Sequence, residues 1–236
     1  MIPVPISDAP CADTLPSGNL EIMAGITHYI VENIRTARRF LKRLIPSIDI
    51  SALTFYELNT HTPQDEIWGY LSPLRQGKPV GVMSEAGCPG VADPGALVVS
   101  LAQKEGFRVI PLVGPSSILL SLMASGLNGQ NFAFNGYLPV DARERDKCIR
   151  DLETQALRKN ITQIFIETPY RNVRMMESLL NNLHPDTLLC VAANITAPDE
   201  QIITKTVKNW KNQKWNLDKV PVIFLIGTDP AFKSHK

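Results

Sequence analysis

The sequence lacks the patterns that mark several common kinds of site and location. Its four cysteines, Cys11, Cys88, Cys148 and Cys190, form no C-x-x-C pair, which argues against a zinc site and against a disulfide framework. The four histidines show no metal-ligand spacing, so we expect no metal. No apolar run is long enough to cross a membrane, and the apolar start is too short and proline-rich for a signal peptide. We therefore expect a cytoplasmic protein without a membrane segment.

Positive and negative charges are also nearly balanced, with 24 Lys and Arg against 23 Asp and Glu. This balance does not impose an attraction to nucleic acid, although a local basic patch remains possible. Three nucleotide-binding or hydrolase motifs are also missing, namely G-x-G-x-x-G, the phosphate-loop lysine motif and G-x-S-x-G. The hydrophobic share of 44% is that of a globular protein.

The most informative segment is residues 80–136. An apolar strand ends in the loop Ser84 to Gly95, whose twelve residues exceed the usual connection of about two to six. A second apolar strand, residues 109–112, leads through Gly114-Pro-Ser-Ser117 into a helix. Two such units place a small-molecule site at the carboxyl ends of parallel strands. Two structural interpretations stay open: a tight connection at the first loop, and a helix cap at Ser116 or Ser117.

The pattern of strands and helices predicts an α/β protein of two domains, residues 1–138 and 139–236, divided by the linker around Pro139. We expect a mainly parallel sheet in the first half and a mixed sheet in the second. Short strands are predicted at residues 2–6 and 28–31, and an edge strand at residues 201–207. A helix is predicted at residues 63–76, with Thr62 as its cap.

Seven short segments then follow one another in a recognisable order. They are Pro5-Ile-Ser-Asp8, Val31-Glu-Asn-Ile-Arg-Thr-Ala-Arg38, Ser84-Glu-Ala-Gly-Cys-Pro-Gly-Val-Ala-Asp-Pro-Gly95, Pro111-Leu-Val-Gly-Pro-Ser-Ser117, Ala124-Ser-Gly-Leu127, Phe132-Ala-Phe-Asn-Gly-Tyr-Leu-Pro139 and Phe165-Ile-Glu-Thr-Pro-Tyr-Arg171. Together they resemble the tetrapyrrole methylase superfamily of S-adenosylmethionine-dependent methyltransferases. The closest branch methylates the 2′-hydroxyl of a cytidine ribose in small-subunit ribosomal RNA.

The resemblance implies a two-domain tetrapyrrole methylase-like fold, a homodimer, and S-adenosylmethionine in the cleft between the halves. The positions that match the family's cofactor contacts are Pro5, Ala86, Gly87, Cys88, Ser116, Ser117, Glu167 and Ala192. The chain departs from the ribosomal branch at Ser7-Asp8 instead of Gly-Asn, and at Ser84-Glu-Ala-Gly-Cys-Pro89 instead of Ser-Asp-Ala-Gly-Thr-Pro. It also has Ala192-Ala-Asn-Ile-Thr-Ala197 instead of Ala-Arg-Glu-Leu-Thr-Lys, so a charged pair is absent.

Methyl transfer from a sulfonium depends chiefly on alignment of the reacting groups, but a ribose hydroxyl benefits from a nearby base. The candidate base is Glu32, which follows a strand and matches the family's Glu-Asp-Thr-Arg segment, with Glu85 second. A solvated Glu32 paired with Arg35 or Arg38 is the structural alternative.

Basic residues recur at helical spacing along residues 35–44. If the substrate is RNA, the phosphate contacts are expected from Arg35, Arg38, Arg39 and Arg171. A charged helix face that merely meets solvent is the alternative.

Three functions remain in competition. The first is an RNA ribose methyltransferase, favoured by the basic helix and the ribosomal-branch segments. The second is a methyltransferase of the same fold that acts on a small molecule such as a tetrapyrrole. The third is a non-catalytic protein that binds the cofactor, favoured by the altered second-half segment. Measurable turnover separates the third from the first two.

Overall fold

The computed structural model describes residues 1–228 and divides into two compact units. The first unit is Met1–Ser116 and the second begins at Ser117. The sequence-based boundary at residue 138 differs, because the segment that precedes it pairs with a strand of the second unit. The linker at Pro139 therefore lies inside a unit and not between two units.

The first unit is built on a small parallel sheet. Its helices are α1 (Cys11–Thr14), α2 (Gly18–Ala24), α3 (Ile34–Leu44), α4 (Gln64–Tyr70), α5 (Ser72–Arg75) and α6 (Gly95–Lys104), and its strands are β1 (His28–Val31), β2 (Thr54–Glu57) and β3 (Val80–Met83). A short 3₁₀ helix spans Ile50–Ala52. The strand order is β2-β1-β3, with both pairs parallel. Strand β1 buries alternate side chains on opposite faces, with Tyr29 on one and Ile30 on the other.

The predicted strand at residues 2–6 is wrong, although the segment is extended and buried. Ile2 N–H donates to the Val82 carbonyl at 2.8 Å, and Val4 makes a single antiparallel bridge with Gly87. The predicted strand at residues 109–112 is also absent. Its backbone bonds instead to the chain start, with Leu112 N–H 3.0 Å from the Met1 carbonyl. One residue is too short a partner to form a ladder.

Of the helices in the first unit, α3 begins at a side-chain cap, whereas α4 and α5 do not. Asn33 caps α3, since its Oδ1 accepts from the N–H groups of Arg35 at 2.9 Å and Thr36 at 3.2 Å. The single helix predicted at residues 63–76 is wrong, because the chain breaks at Leu71 into α4 and α5. Thr62 caps neither of them, since its hydroxyl donates to the Glu57 carbonyl at 3.2 Å.

The second unit is built on a mixed sheet of strand order β4-β5-β8-β6-β7. Its helices are α7 (Ser117–Ser125), α8 (Ala142–Lys159), α9 (Asn172–Asn182) and α10 (Val207–Lys211), and its strands are β4 (Phe132–Tyr137), β5 (Thr162–Ile166), β6 (Leu188–Ala193), β7 (Gln201–Thr206) and β8 (Val222–Gly227). A 3₁₀ turn spans Pro169–Arg171. Strands β4 and β5 are parallel and the other pairs antiparallel.

Strand β7 lies at the sheet edge, as its alternating pattern predicted. Strand β8 is central and buried along its length, because helices and neighbouring strands cover it. Phe165 and Phe224 stack in this core with ring centroids 5.7 Å apart. The α/β class, with a parallel sheet in the first half and a mixed sheet in the second, is therefore confirmed. Within residues 1–228, no helix combines the length and apolar character needed to cross a bilayer.

Candidate active site

The candidate site lies at the carboxyl ends of β1 and β3. Val31 and Met83 are paired in register, so the residues that follow them emerge side by side. Glu32 follows β1, and the loop Ser84–Gly95 follows β3. The backbone N–H of Glu85 donates to Glu32 Oε1 at 3.0 Å. The two sequence-predicted carboxylates, 53 residues apart in the chain, are thus brought together.

The surroundings of Glu32 favour its neutral form. Burial raises the pKa of its carboxyl, and the negative charges of Asp93 and Glu85 raise it further. The hydrogen bond from Glu85 N–H lowers the pKa, but burial is the larger effect. A half-buried carboxylate with a raised pKa is a stronger base than an exposed one. No ion pair joins Glu32 to an arginine within residues 1–228, so the structure does not form the solvated Glu32–Arg35 or Glu32–Arg38 pair.

Thr36 is a site residue that the sequence analysis missed. Its hydroxyl lies 2.5 Å from Glu85 Oε1 and 3.0 Å from the Asn33 carbonyl. It therefore holds the Glu85 side chain in place beside Glu32. The signal was available: Thr36 comes four residues after Glu32, in the first turn of the helix that begins at Ile34.

The loop Ser84–Gly95 is held by its own polar groups. The Asp93 carboxylate accepts from Gly90 N–H at 2.8 Å and from Gly95 N–H at 2.7 Å. The Ser84 hydroxyl donates to the Ala86 carbonyl at 3.1 Å. Gly87 has a φ of +71°, a conformation that favours glycine. These hydrogen bonds therefore fix the backbone of the loop.

Two other segments fix the middle of this loop. Val4 and Gly87 exchange backbone hydrogen bonds of 3.0 and 3.1 Å, which places Pro5 beside the loop. The Cys88 thiol donates to the Pro115 carbonyl at 3.3 Å. The sequence-predicted cofactor positions of the first unit, Pro5, residues 86–88 and Ser116, therefore converge. Ser117 begins α7 in the second unit.

Backbone donors near the start of the loop are left open. Within the described residues, neither the N–H of Ala86 nor that of Cys88 donates to a protein acceptor. Ala86 is exposed and Cys88 partly exposed. Such N–H groups, in a loop of small residues, suit the oxygen atoms of a ligand that approaches the backbone closely.

A cavity of about 210 Å³ lies at the start of this loop, where Ser84 and Glu85 line it, and neither Glu32 nor residues 86–88 belong to its lining. We call it cavity A. Its lining combines Pro5 and Glu85 with residues that the sequence analysis did not assign to the site. The latter are Val4, Ser7, Asp8, Thr36, Ala37, Phe40, Arg43, Met83 and Ser84. Arg39, predicted to contact RNA, also lines the cavity. It offers both carboxylate and guanidinium groups to a polar ligand.

The predicted positions of the second unit are less accessible. Ala192 is fully buried in the middle of β6, where it pairs with Ile202 and Ile223, so its side chain offers no surface to a ligand. Glu167 is buried and its Oε1 accepts from Arg171 at 2.6 and 2.9 Å. These two hydrogen bonds also occupy the Nε and Nη2 groups of Arg171, which was predicted to contact RNA.

The basic residues of α3 remain free of ion pairs. The face consists of Arg35, Arg38, Arg39, Lys42 and Arg43, all exposed. Within residues 1–228 none of them has a carboxylate at ion-pair distance. Arg38 lies over the Phe55 ring at 5.1 Å, a contact that orders the guanidinium without neutralising it. We call these five residues the α3 basic face.

The cysteines are expected to differ in reactivity. Burial raises the pKa of the Cys190 thiol to about 11 and also raises the pKa of Cys88. Because the thiolate is the reactive form, Cys190 should be the slowest to alkylate and Cys88 should be slow. A time course with iodoacetamide at pH 8, followed by peptide mass spectrometry, measures this order. Rapid alkylation of Cys190 in the folded protein would contradict the burial of β6.

Known proteins resemble the chain in sequence and in fold. No protein-family model matches it. It is 28% identical over 202 residues to ribosomal RNA small subunit methyltransferase I of Vibrio cholerae, covering 86% of this chain and 66% of the relative. The protein of the same name from Neisseria meningitidis is 34% identical over 151 residues, which cover 64% of this chain and 49% of the relative. The chain thus spans about half to two thirds of the length of these curated relatives.

Solved structures of known methyltransferases share the fold of this chain. The methyltransferase CobJ aligns with a TM-score of 0.60 and 17% identity, over 92% of this chain and 89% of that chain. Uroporphyrin III C-methyltransferase from Thermus thermophilus aligns with a TM-score of 0.55 and 16% identity, over 92% of both chains. The sequence-based resemblance is therefore confirmed: the chain has the fold of the tetrapyrrole methylases, and its sequence is similar to those of small-subunit ribosomal RNA methyltransferases.

Proposed function

We propose that the protein is an S-adenosylmethionine-dependent methyltransferase that methylates a ribose 2′-hydroxyl of ribosomal RNA. One observation carries the proposal: the half-buried Glu32, with a raised pKa, lies beside a loop in which the N–H groups of Ala86 and Cys88 are open. The names of the curated relatives support the reaction and the substrate class. A ribosomal substrate also fits a cytoplasmic location.

The residues around the loop suit the cofactor. The open N–H groups of Ala86 and Cys88 match acceptor oxygens of its ribose or amino-acid portion, and the buried Pro5 and Gly87 support the loop from beneath. Ser116, Ser117 and Glu167 remain further candidates from the resemblance. Bound S-adenosylmethionine would supply an electrophilic methyl group. The chain's own contribution is then to hold the acceptor hydroxyl in line and to exclude water.

Glu32 is the group that would accept the proton of the acceptor hydroxyl. Its Oε1 is occupied by Glu85 N–H, so Oε2 is the available oxygen. Glu85 would orient the same hydroxyl, because Thr36 and the backbone hold its side chain close by. Both carboxylates lie at the carboxyl ends of the paired strands β1 and β3. An acceptor would meet the cofactor loop there.

The α3 basic face would bind the phosphates that flank the acceptor. Replacing Arg38 by glutamine should reduce the salt dependence of RNA binding by about one unit of slope, because one phosphate contact is lost. Fluorescence anisotropy with a ribosomal RNA fragment between 50 and 300 mM KCl measures the slope. Lys104→Gln removes an exposed charge from the last turn of α6 and serves as the control. Equal slopes for both variants would contradict the assignment.

The direct test of the function is transfer of a labelled methyl group to small ribosomal subunits that lack the modification. The proposal expects one labelled ribose per subunit, located by nuclease mapping. Label on a tetrapyrrole instead would favour the second function, which the fold of the solved structures keeps open. No transfer by a protein that binds the cofactor would favour the non-catalytic function.

We also propose that the protein is a homodimer. Helix α7 exposes Met123 by 78% and Leu119 by 51%, and two exposed apolar side chains on one short helix suit an interface. Sedimentation of Met123→Glu tests this assignment. A monomeric variant beside a dimeric wild type supports it, whereas a dimeric variant or a monomeric wild type contradicts it.

A further inference from the structure

A second cavity adjoins cavity A in the first unit, with a volume of about 700 Å³. We call it cavity B. It lies between residues 8–20 and the end of α3. Much of its lining is aliphatic, from Pro10, Leu15, Pro16, Leu20 and Leu44, and its polar residues are Asp8, Ser17, Asn19 and Arg43. This volume and lining fall within the usual range of small-molecule sites, about 300–1,000 Å³ with mainly apolar walls.

Two residues line both cavities, Asp8 and Arg43. A ligand that extends from one cavity into the other therefore passes the Asp8 carboxylate and the Arg43 guanidinium. Arg43 Nη2 donates to the Cys11 sulfur at 3.3 Å, a weak acceptor that leaves most of its N–H groups open. Asp8 lies beyond ion-pair distance of Arg43 within the described residues, so the positive charge is not cancelled locally.

We propose that cavity B holds the base of the nucleotide next to the methylated one, and that Arg43 binds the phosphate between the two. This inference rests on the proposed function and names a subsite of it. A dinucleotide unit has an order that matches the cavities: a ribose near Glu85 in cavity A, then a phosphate at Arg43, then a flat base with large apolar faces in cavity B. A guanidinium matches a phosphate in geometry as well as charge. An aliphatic pocket can accept any of the four bases, because each of them has a flat face that can pack against apolar side chains.

The charge pattern favours a nucleotide over an uncharged apolar ligand. Cavity B alone would suit any apolar group of that size. The junction with cavity A carries the Arg43 guanidinium together with the Asp8 carboxylate, and Arg39 lines cavity A as well. A ligand that spans both cavities therefore meets two arginines and one carboxylate near the junction, and a negative group placed against Arg43 would suit it. Single-stranded RNA has this arrangement at each linkage.

The test uses protein saturated with S-adenosylhomocysteine and a fluorescent five-nucleotide RNA with a central cytidine. Two further RNAs lack one base, either 5′ or 3′ of that cytidine. For the wild type, loss of one of the two neighbouring bases should weaken binding about tenfold, and loss of the other should have a smaller effect. Leu20→Trp fills cavity B and should weaken binding of the intact RNA by the same factor. The affinity of Leu20→Trp should then be the same for the intact RNA and for the RNA without that base, because the contact between the base and cavity B is already lost.

Arg43→Gln and Arg35→Gln separate the phosphate contact from general attraction. Both remove one charge from the same helix, but Arg35 lines neither cavity. Arg43→Gln should reduce the effect of the missing base as well as the affinity, whereas Arg35→Gln should reduce the affinity only. Equal behaviour of the two variants would overturn the role of Arg43.

Cys11 provides a readout that needs no cavity-filling variant. It lines cavity B, so bound RNA should slow its alkylation several-fold, and RNA without the neighbouring base should protect it less. The inference is overturned if Cys11 reacts at one rate in all cases, or if neither missing base changes wild-type affinity. Calorimetry with S-adenosylhomocysteine alone distinguishes a failure of this subsite from a failure of the proposed function. If the cofactor analogue binds and no RNA does, the RNA assignment and this subsite both fail while the cofactor assignment stands.

Discussion

Replacing Glu32 by glutamine should lower the turnover of methyl transfer by about 10²- to 10⁴-fold, the range typical of a lost general base. The affinity for S-adenosylhomocysteine should stay within about twofold, because glutamine keeps an oxygen to accept from Glu85 N–H. Single-turnover transfer and calorimetry measure the two quantities separately. Equal losses of turnover and affinity would show that Glu32 is structural.

The matched control is Glu85→Gln, which changes a carboxylate one residue into the neighbouring loop. Glu85 is exposed and its proposed role is to orient the acceptor, so its loss should cost less turnover than the loss of Glu32. The wild-type rate should fall in acid as Glu32 takes up a proton. Because burial raises the pKa of Glu32, this fall should begin at a higher pH than for an ordinary glutamate.

Stability should respond in the opposite direction to activity. The raised pKa means that the folded state binds the proton more readily than the unfolded state. The contribution of Glu32 to stability is therefore present below the unfolded pKa and lost as the pH rises through the folded pKa. At pH 7, Glu32→Gln should melt at the wild-type temperature or above, and this gain should vanish in acid. A variant that melts lower at pH 7 would contradict the raised pKa.

Replacing Gly114 by alanine should lower the free energy of unfolding by about 1–3 kcal/mol or more, the usual cost of overpacking. The added Cβ would lie 2.2 Å from Pro3 Cβ and 2.3 Å from Pro3 Cγ, so the chain start and the loop at residue 114 must separate. Pro115 also anchors Cys88, so the cofactor loop should shift and lose affinity for S-adenosylhomocysteine.

Gly69→Ala in α4 is the control for this change. An added Cβ there meets nothing within 4 Å, and alanine is the better helix former by about 1 kcal/mol. Urea unfolding followed by circular dichroism should therefore show opposite shifts for the two variants. Unchanged stability of Gly114→Ala would contradict the close approach of residues 3 and 114.

Much of the fold could be predicted from local patterns. The strand at residues 28–31 has the predicted bounds, because an apolar run that is buried in a sheet is bounded by polar residues. The predicted strand at residues 109–112 failed for a reason that no local pattern contains. Its partner is the chain start, more than a hundred residues away, and it forms isolated hydrogen bonds instead of a ladder.

The site was predictable in part. Strand ends and the resemblance indicated Glu32 and the loop at residues 84–95, but not that Glu85 N–H bonds Glu32. Thr36 was missed because its role depends on the position of Glu85, which only the parallel pairing of β1 and β3 fixes. Ala192 shows the opposite limit: alignment to a motif does not reveal that a side chain is fully buried.

The central claim is that the loop at residues 84–88 binds S-adenosylmethionine, and calorimetric titration with S-adenosylhomocysteine tests it most directly. We expect micromolar binding at one site per chain, abolished in Ala86→Trp. That variant is preferable to one at Gly87, because Ala86 is exposed whereas Gly87 is buried with a φ of +71°. Thermal melting of both proteins confirms that they are folded. A folded wild type that binds no S-adenosylhomocysteine, or an Ala86→Trp variant that binds as tightly as the wild type, would contradict the claim.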